Sequence, residues 1–201
     1  MNPADDTAVL DIRQRLIRAA AEAFMEEGYR ASIDRIAAHA GVARQTVYNH
    51  FPSKTDLFSE VAQDAAGDIL VSLDGIGGDI REHLLRFGAA LRQRMIGDEG
   101  LAMFRTLSAE VPRFPDLGKV FLDKGLGQTV RRLAEFLGRA MNDGTLRQDD
   151  PMFTAEILLS MLESFDRTRR LFGAPKYPAA EEQERITRII DCFLRAFAPE
   201  R

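Results

Sequence analysis

Residues 32–54 read SIDRIAAHAGVARQTVYNHFPSK, and no other stretch of this 201-residue chain constrains its fold as tightly. Two short helices joined by a glycine turn are written in it. Ser32 suits an N-cap, because its hydroxyl can accept a backbone N–H that the first helical turn leaves without a partner. Ile33, Ile36, Ala37 and Ala40 then recur at helical spacing and form one apolar stripe. Gly41 stands where the chain must turn, and glycine enters the left-handed region at little steric cost. Val42 plugs the space behind the turn. In the next segment Val47 and Phe51 lie four apart and share a face, which Ala43 extends. Pro52 stops that segment, since a residue before proline is driven out of the helical region. Ser53 and Asp56 have the spacing of a capping box and open a third helix.

With Val47 pointing inward, a step of about 100° per residue decides what points out. Gln45 and Asn49 fall near the centre of the opposite face, with Thr46 and Tyr48 beside them. Arg44 is nearer the core side but at the exposed N-terminal end. A second helix with this outer face is the reading element of a helix-turn-helix, which enters the DNA major groove. Gln and Asn can each contact adenine through two hydrogen bonds and Arg can contact guanine in the same way; a Thr methyl can touch thymine. Tyr48, His50 and Lys54 are better placed for phosphates, which set register without reading sequence. The competing reading is an ordinary helical pair with a solvated polar face. Glycine turn, apolar stripe and outer face together favour the DNA reader.

The formal net charge of −4 is no obstacle, because DNA binding needs a basic patch rather than a basic total. Between residues 35 and 54 the cations are Arg35, Arg44 and Lys54, with no acid among them. A locally basic face on an acidic body is expected, with weak non-specific binding at physiological salt.

Segment 16–58 resembles the DNA-binding domain of the tetracycline-repressor (TetR) family of bacterial regulators. The resemblance rests on Ala20 to Phe24 before Gly28–Tyr29, then Ile36–Ala37 and Ala40–Gly41–Val42, and on Thr46–Val47–Tyr48, His50–Phe51 and Ser53–Lys54. It implies that Thr46, Tyr48, His50 and Lys54 contact DNA. It also implies that Arg44, Gln45 and Asn49 set operator choice. Two positions depart from the family pattern. Ala43 replaces a serine that often caps the reading helix, and Ala31 precedes Ser32 where a threonine is common. Ser32 alone is then left as cap and phosphate contact.

The rest of the chain reads as helix, giving an all-α fold of about nine helices. A three-helix DNA-binding domain is expected over 9–54, and a helical ligand-binding and dimerisation domain over 55–201. Residues 1–8 are polar and expected to fray. The helix opened at Ser53 is expected to end near Asp74–Gly75, with Gly77–Gly78 as a joint. Further helices are predicted at 79–96, 99–110, 116–142, 151–172 and 179–197. Asp150 before Pro151 gives an N-cap followed by proline at the first helical position. Gly144, Gly173 and Pro175 are stops. Gly125 and Gly127 inside a helix mark a bend or a close contact.

Phe153, Ile157, Met161 and Phe165 repeat every four residues in the penultimate helix. Ile186, Ile190, Phe193 and Phe197 lie on a broad stripe of the last one. One helix pair cannot bury all of this, so part is expected to meet a second copy in a twofold four-helix interface. Purely intramolecular packing is the alternative. A twofold protein suits the motif, because two reading helices then meet two half-sites. The resemblance implies a pocket for a small apolar or amphipathic ligand among Met95, Met103, Phe104, Leu107 and Phe121, residue types that suit an adaptable cavity. The same residues at helical spacing also suit plain core. His83 reads as a solvated surface residue or a polar group of that pocket.

The sequence offers little for an enzyme. His39, His50 and His83 lack metal-ligand spacing, no phosphate-binding glycine loop occurs, and no nucleophile motif surrounds Cys192 or any serine. No metal or cofactor is expected. The lone Cys192 reads as a small buried hydrophobe and fits a reducing cytoplasm. No apolar run reaches about 18 residues, so no membrane span is expected. The partners expected are double-stranded operator DNA, a second copy and a small ligand, in a bacterial cytoplasmic protein that joins the nucleoid when bound. The alternative function is a ligand- or protein-binding module that has lost specific DNA binding.

Overall fold

Glycine, proline and short polar caps divide this chain into helices. The structure, a computed structural model, describes residues 3–73 and 79–199. Helices α1 (Pro3–Glu27), α2 (Ile33–Ala40), α3 (Arg44–His50) and α4 (Lys54–Leu70) are followed by α5 (Ile80–Ile96) and α6 (Asp98–Glu110). Then come α7 (Pro115–Val120), α8 (Gly127–Asn142), α9 (Pro151–Leu171) and α10 (Ala179–Ala196). A π-helical turn, Phe121–Leu126, joins α7 to α8 without a break, so the described residues form nine helical rods and no strand. This is the all-α fold expected. The π turn holds Gly125, and the bend expected there takes that form. α1 begins at Pro3, earlier than the expected residue 9. The expected helix end at Asp74–Gly75 and the joint at Gly77–Gly78 lie outside the described residues.

Contacts divide the chain into two compact units, residues 1–65 with 102–125 and residues 66–101 with 126–201. α4 and α6 each begin in one unit and end in the other. In the first unit Leu16, Ala20 and Phe24 of α1 close over Ile36, Val47, Phe51, Leu57 and Phe58, joined by Leu107 and Leu117. In the second, α5, α8, α9 and α10 enclose Leu84, Phe87, Leu91, Leu133, Leu137, Leu158, Leu162, Ile190 and Phe193. Asp79 caps α5 through the Arg81 N–H at 3.2 Å, and Asp150 caps α9 through the Met152 N–H at 2.8 Å.

α9 is not the uninterrupted helix expected. Ser164 has φ 45° and ψ −160°, a strained left-handed value for a residue with a side chain. The kink is offset by local hydrogen bonds. The Ser164 hydroxyl accepts the Asp166 N–H at 3.3 Å and donates to its carboxylate at 3.1 Å. The Leu162 carbonyl, which an unbroken helix would pair with that N–H, accepts the Arg92 guanidinium instead.

Three expectations are corrected. Ile186, Ile190, Phe193 and Phe197 are no more than 5% exposed and belong to the core of their own subunit, so they cannot form an interface with another copy. The α9 stripe behaves differently: Phe153 is 52% and Phe165 71% exposed, while Ile157 and Met161 are half-buried. His83 is buried rather than solvated, with Nδ1 3.2 Å from the Asp79 carbonyl and its ring 5.6 Å from that of Phe136. Cys192 is exposed rather than buried. It lines a concavity of about 640 Å³ with Met161, Ile189 and four charged residues of α10.

The residues expected to line a ligand pocket are spread over both units. Leu107 is buried in the core of the first unit, with Met103 and Phe121 packed against it, and Phe104 is half-buried. Met95 packs against the core of the second.

Candidate nucleic-acid interface

The turn between α2 and α3 sets the geometry of the exposed face. Gly41 sits at φ 67°, ψ 38°, and its N–H reaches the Ala38 carbonyl while that of Val42 reaches Ala37 at 2.9 Å. This paired closure of a helix end needs a left-handed residue, and glycine adopts that conformation at least cost. The Arg15 guanidinium adds a bond to the Ala40 carbonyl. The start of α2 is fixed by Ser32, whose hydroxyl accepts the Arg35 N–H at 3.1 Å. α3 has no such cap: Ala43 is extended and only its carbonyl is used, by the Thr46 N–H at 2.9 Å.

Val47 is 1% and Phe51 2% exposed, which turns the other side of α3 outward. Arg44, Gln45 and Asn49 are exposed; Thr46, Tyr48 and His50 are half-exposed. All six are therefore at least partly open to solvent, with Gln45 and Asn49 opposite Val47 and Ser32 exposed at the start of α2. Lys54 is more enclosed. Its ammonium lies 4.6 Å from the centre of the Tyr29 ring, and burial pushes its pKa below the usual lysine value against the pull of Glu110. Tyr29 is itself anchored by a 2.9 Å hydrogen bond to Thr55. The Ser53 hydroxyl accepts the Asp56 N–H at 3.1 Å, so the cap that opens α4 forms as expected.

The basic patch expected from residues 35–54 is revised by partners outside that window. Arg44 is paired to Asp34 at 2.7 Å and lies 5.6 Å from the centre of the Tyr48 ring. The hydrogen bonds that Arg44 donates to Tyr48 and Asp34 hold the arginine above its usual pKa. Arg35 is paired with both Glu26 and Glu27. His39 lies 2.7 Å from Glu22. Gln45 donates to the Asn49 side chain at 3.1 Å, so these two groups satisfy each other across one helical turn. The face can supply donors and acceptors of the kinds that read base edges, but each must exchange its present partner for a base. Among the described residues no His, Cys, Asp or Glu cluster could hold a metal ion. No helix there is long and apolar enough to cross a membrane.

Comparison with known proteins agrees with this geometry. Residues 16–61 match the family described as bacterial regulatory proteins, tetR family, and residues 82–199 match the C-terminal domain of AefR-like transcriptional repressors. An uncharacterised HTH-type transcriptional regulator of Mycobacterium tuberculosis is 29% identical over 161 residues, 77% of this chain and 79% of that protein. A TetR-family regulator from Mesorhizobium loti superposes with a TM-score of 0.77 at 26% identity, over 94% of this chain and 98% of the other. The flavonoid-responsive regulator FrrA superposes with a TM-score of 0.74 at 30% identity, over the same shares of the two chains.

Proposed function

The chain belongs to the TetR family of bacterial transcriptional regulators, and from that premise we propose that it is a ligand-responsive repressor acting as a homodimer on a palindromic operator. That it is a DNA-binding regulator and not an enzyme follows from the family. The repressor role, the dimer and the ligand are the inference. The observation that carries it is the outward array of Arg44, Gln45 and Asn49 over a buried Val47. In this reading α3 enters the major groove. Arg44, Gln45 and Asn49 read base edges, with Thr46 between the roles. Ser32, Tyr48 and His50 hold phosphates, and Lys54 joins them after leaving Tyr29. The functional division falls near Lys54, with residues 9–54 reading DNA and 55–201 receiving ligand and partner.

Dimerisation is supported by the exposed stripe of α9. Phe153 and Phe165 are more than half exposed on a helix whose other face is core, and Met161 continues beside Ile189 of α10. Exposed aromatic side chains of this kind suit an interaction surface. The repressor reading draws on the AefR-like repressor match, and ligand response on the flavonoid-responsive regulator FrrA. A ligand relieves repression only to the extent that it prefers the DNA-incompetent state; moving 99:1 to 1:99 takes about 5.5 kcal/mol of preference. A cytoplasmic bacterial location, on the nucleoid when bound, is part of the proposal.

Gel retardation with the DNA upstream of the protein's own gene tests the proposal. Specific retention of a dimer at low salt is expected, with Tyr48→Ala weakening all sites and Gln45→Ala or Asn49→Ala relaxing choice at particular base pairs. A folded dimer that retains no DNA would exclude it. The competing reading, a ligand-binding module without specific DNA binding, is favoured by the carboxylates that occupy Arg35 and Arg44. DNA affinity that does not fall with salt would support that reading.

A further inference from the structure

The second unit holds a half-open cavity of about 300 Å³ between the end of α5, the end of α9 and the start of α10. Ala89, Ile96, Pro175 and Ile186 give it apolar walls, and Tyr177 adds an aromatic one. Its charged lining is uneven, with Arg92, Arg169, Arg170 and Lys176 against Asp166 and Glu182. The pairings sort these cations. Arg92, 1% exposed, is engaged by Asp166 at 3.0 Å and by Glu182 at 2.6 Å. Arg169 holds the Tyr177 hydroxyl and stands 3.8 Å from Asp166. Arg170 and Lys176 instead share a carboxylate that is not part of the wall: Asp98, 2.6 Å from each.

We propose that this cavity binds an organic carboxylate with a compact apolar body, whose carboxylate replaces that of Asp98 between Arg170 and Lys176. The Asp98 side chain is 74% exposed, so solvent screens its hold on the two cations. A carboxylate attached to a body that fills the cavity gains apolar burial as well as the same charge-assisted bonds. Lys176 and Arg170 keep Asp98 below its usual carboxylate pKa, so the pair already supports an anion. Arg92 and Arg169 stay with their buried partners and shape the wall.

Asp98 is the first residue of α6, and an acid there favours the positive end of a helix. The same helix ends in the first unit, where Leu107 is core and Glu110 pairs with Arg30 at 3.0 Å. Displacing Asp98 therefore loosens the start of a helix whose end is packed in the DNA-binding unit. This last step rests on the reading of the protein as a ligand-responsive regulator; the binding site does not.

Calorimetric titration of the full chain with 2-naphthoate, octanoate and uncharged 2-naphthamide separates the two. At least one carboxylate is expected to bind once per chain, with the amide about tenfold weaker or more. Lys176→Ala, at an exposed position, is expected to cost about tenfold, and Arg170→Gln as much. Asp98→Asn, which removes the competing anion, is expected to tighten binding. No binding by either carboxylate up to about 1 mM, equal binding by the amide, or unchanged affinity in folded Lys176→Ala would overturn the site. Adding the bound carboxylate to the protein–DNA complex then tests regulation alone. Release of DNA supports the coupling through Asp98, and binding without release leaves the site standing while removing that coupling.

Discussion

Arg44 and Arg92 are both arginines paired to aspartates, at 2.7 and 3.0 Å, and they serve opposite ends. The Arg44 pair is open to solvent, with side chains 57% and 63% exposed; the Arg92 pair is closed, at 1% and 3%. Water screens the first, so Arg44 can leave Asp34 for a guanine edge at small cost. The second is shut off from water and held in a network. Arg92 holds the carbonyl freed by the kink at Ser164, together with the carboxylates of Asp166 and Glu182, and Arg185 closes on Asp166 from the other side at 2.8 Å. In the proposed reading, the same chemical pair is thus a reading group at the surface and a fastening in the interior. Exposure makes the difference.

The largest effect is expected at the fastening. Arg92→Ala takes the arginine from the half-buried Glu182 and from the Leu162 carbonyl and leaves the buried Asp166 to Arg185, and should remove about 3–5 kcal/mol of stability, read from urea unfolding. A loss below about 1 kcal/mol would place the pair with ordinary surface ion pairs and erase the contrast. The same network gives a pH dependence. Burial raises the Asp166 pKa, but the bonds from Arg185, Arg92 and Ser164 outweigh it and hold the group below its ordinary value. Its contribution is therefore complete above the unfolded value near 3.9 and is lost as pH falls through the lower folded value. Asp166→Asn should flatten the fall of the urea midpoint between about pH 5 and 2. An unchanged profile would mean that other carboxylates govern it.

Arg44→Ala should act the other way round, with little change in unfolding but a loss of about 1–3 kcal/mol in DNA binding at one base pair of each half-site. Equal loss on every sequence would make Arg44 a phosphate contact. Gly41→Ala sharpens the dependence of the reading face on the turn. A side chain at φ 67° should cost about 1–2 kcal/mol and weaken DNA binding with no DNA-facing group removed; undisturbed binding would separate the turn from the face. The smallest effect belongs to Asp34→Asn. Stability should change by less than about 1 kcal/mol, while DNA affinity rises as an anion leaves the phosphate side. Weaker binding would instead show that Asp34 holds Arg44 in reading position.

The turn, the stripe and the outward face were legible because each depends on neighbours a few residues away. Gly41, Pro52 and the Ser53–Asp56 cap act within one helical turn, and their spacing states their geometry. The paired charges were not legible for the opposite reason. Arg44 and Asp34 lie on different helices, and Glu26 and Glu27 stand just outside the stretch that looked free of acids. Arg92 meets Asp166 and Glu182 only after three helices pack. The kink at Ser164 leaves no mark, since a serine within an amphipathic run reads as helix. The stripe of α10 shows why periodicity cannot assign a partner: Ile186, Ile190, Phe193 and Phe197 have the pattern of any buried face, and the core of their own subunit takes them up. His83 and Cys192 were misplaced alike, because residue type gives only an average burial.

Selection of binding sites from random DNA addresses the reading face and its pairing together. A homodimer that reads through Arg44, Gln45 and Asn49 should enrich an inverted repeat whose half-sites lie about one helical turn apart, or a multiple of it. The Arg44→Ala protein should lose preference at one symmetric pair of positions. Enrichment of no sequence by a folded dimer, or of a single site unrelated by symmetry and unchanged in the variant, would contradict it.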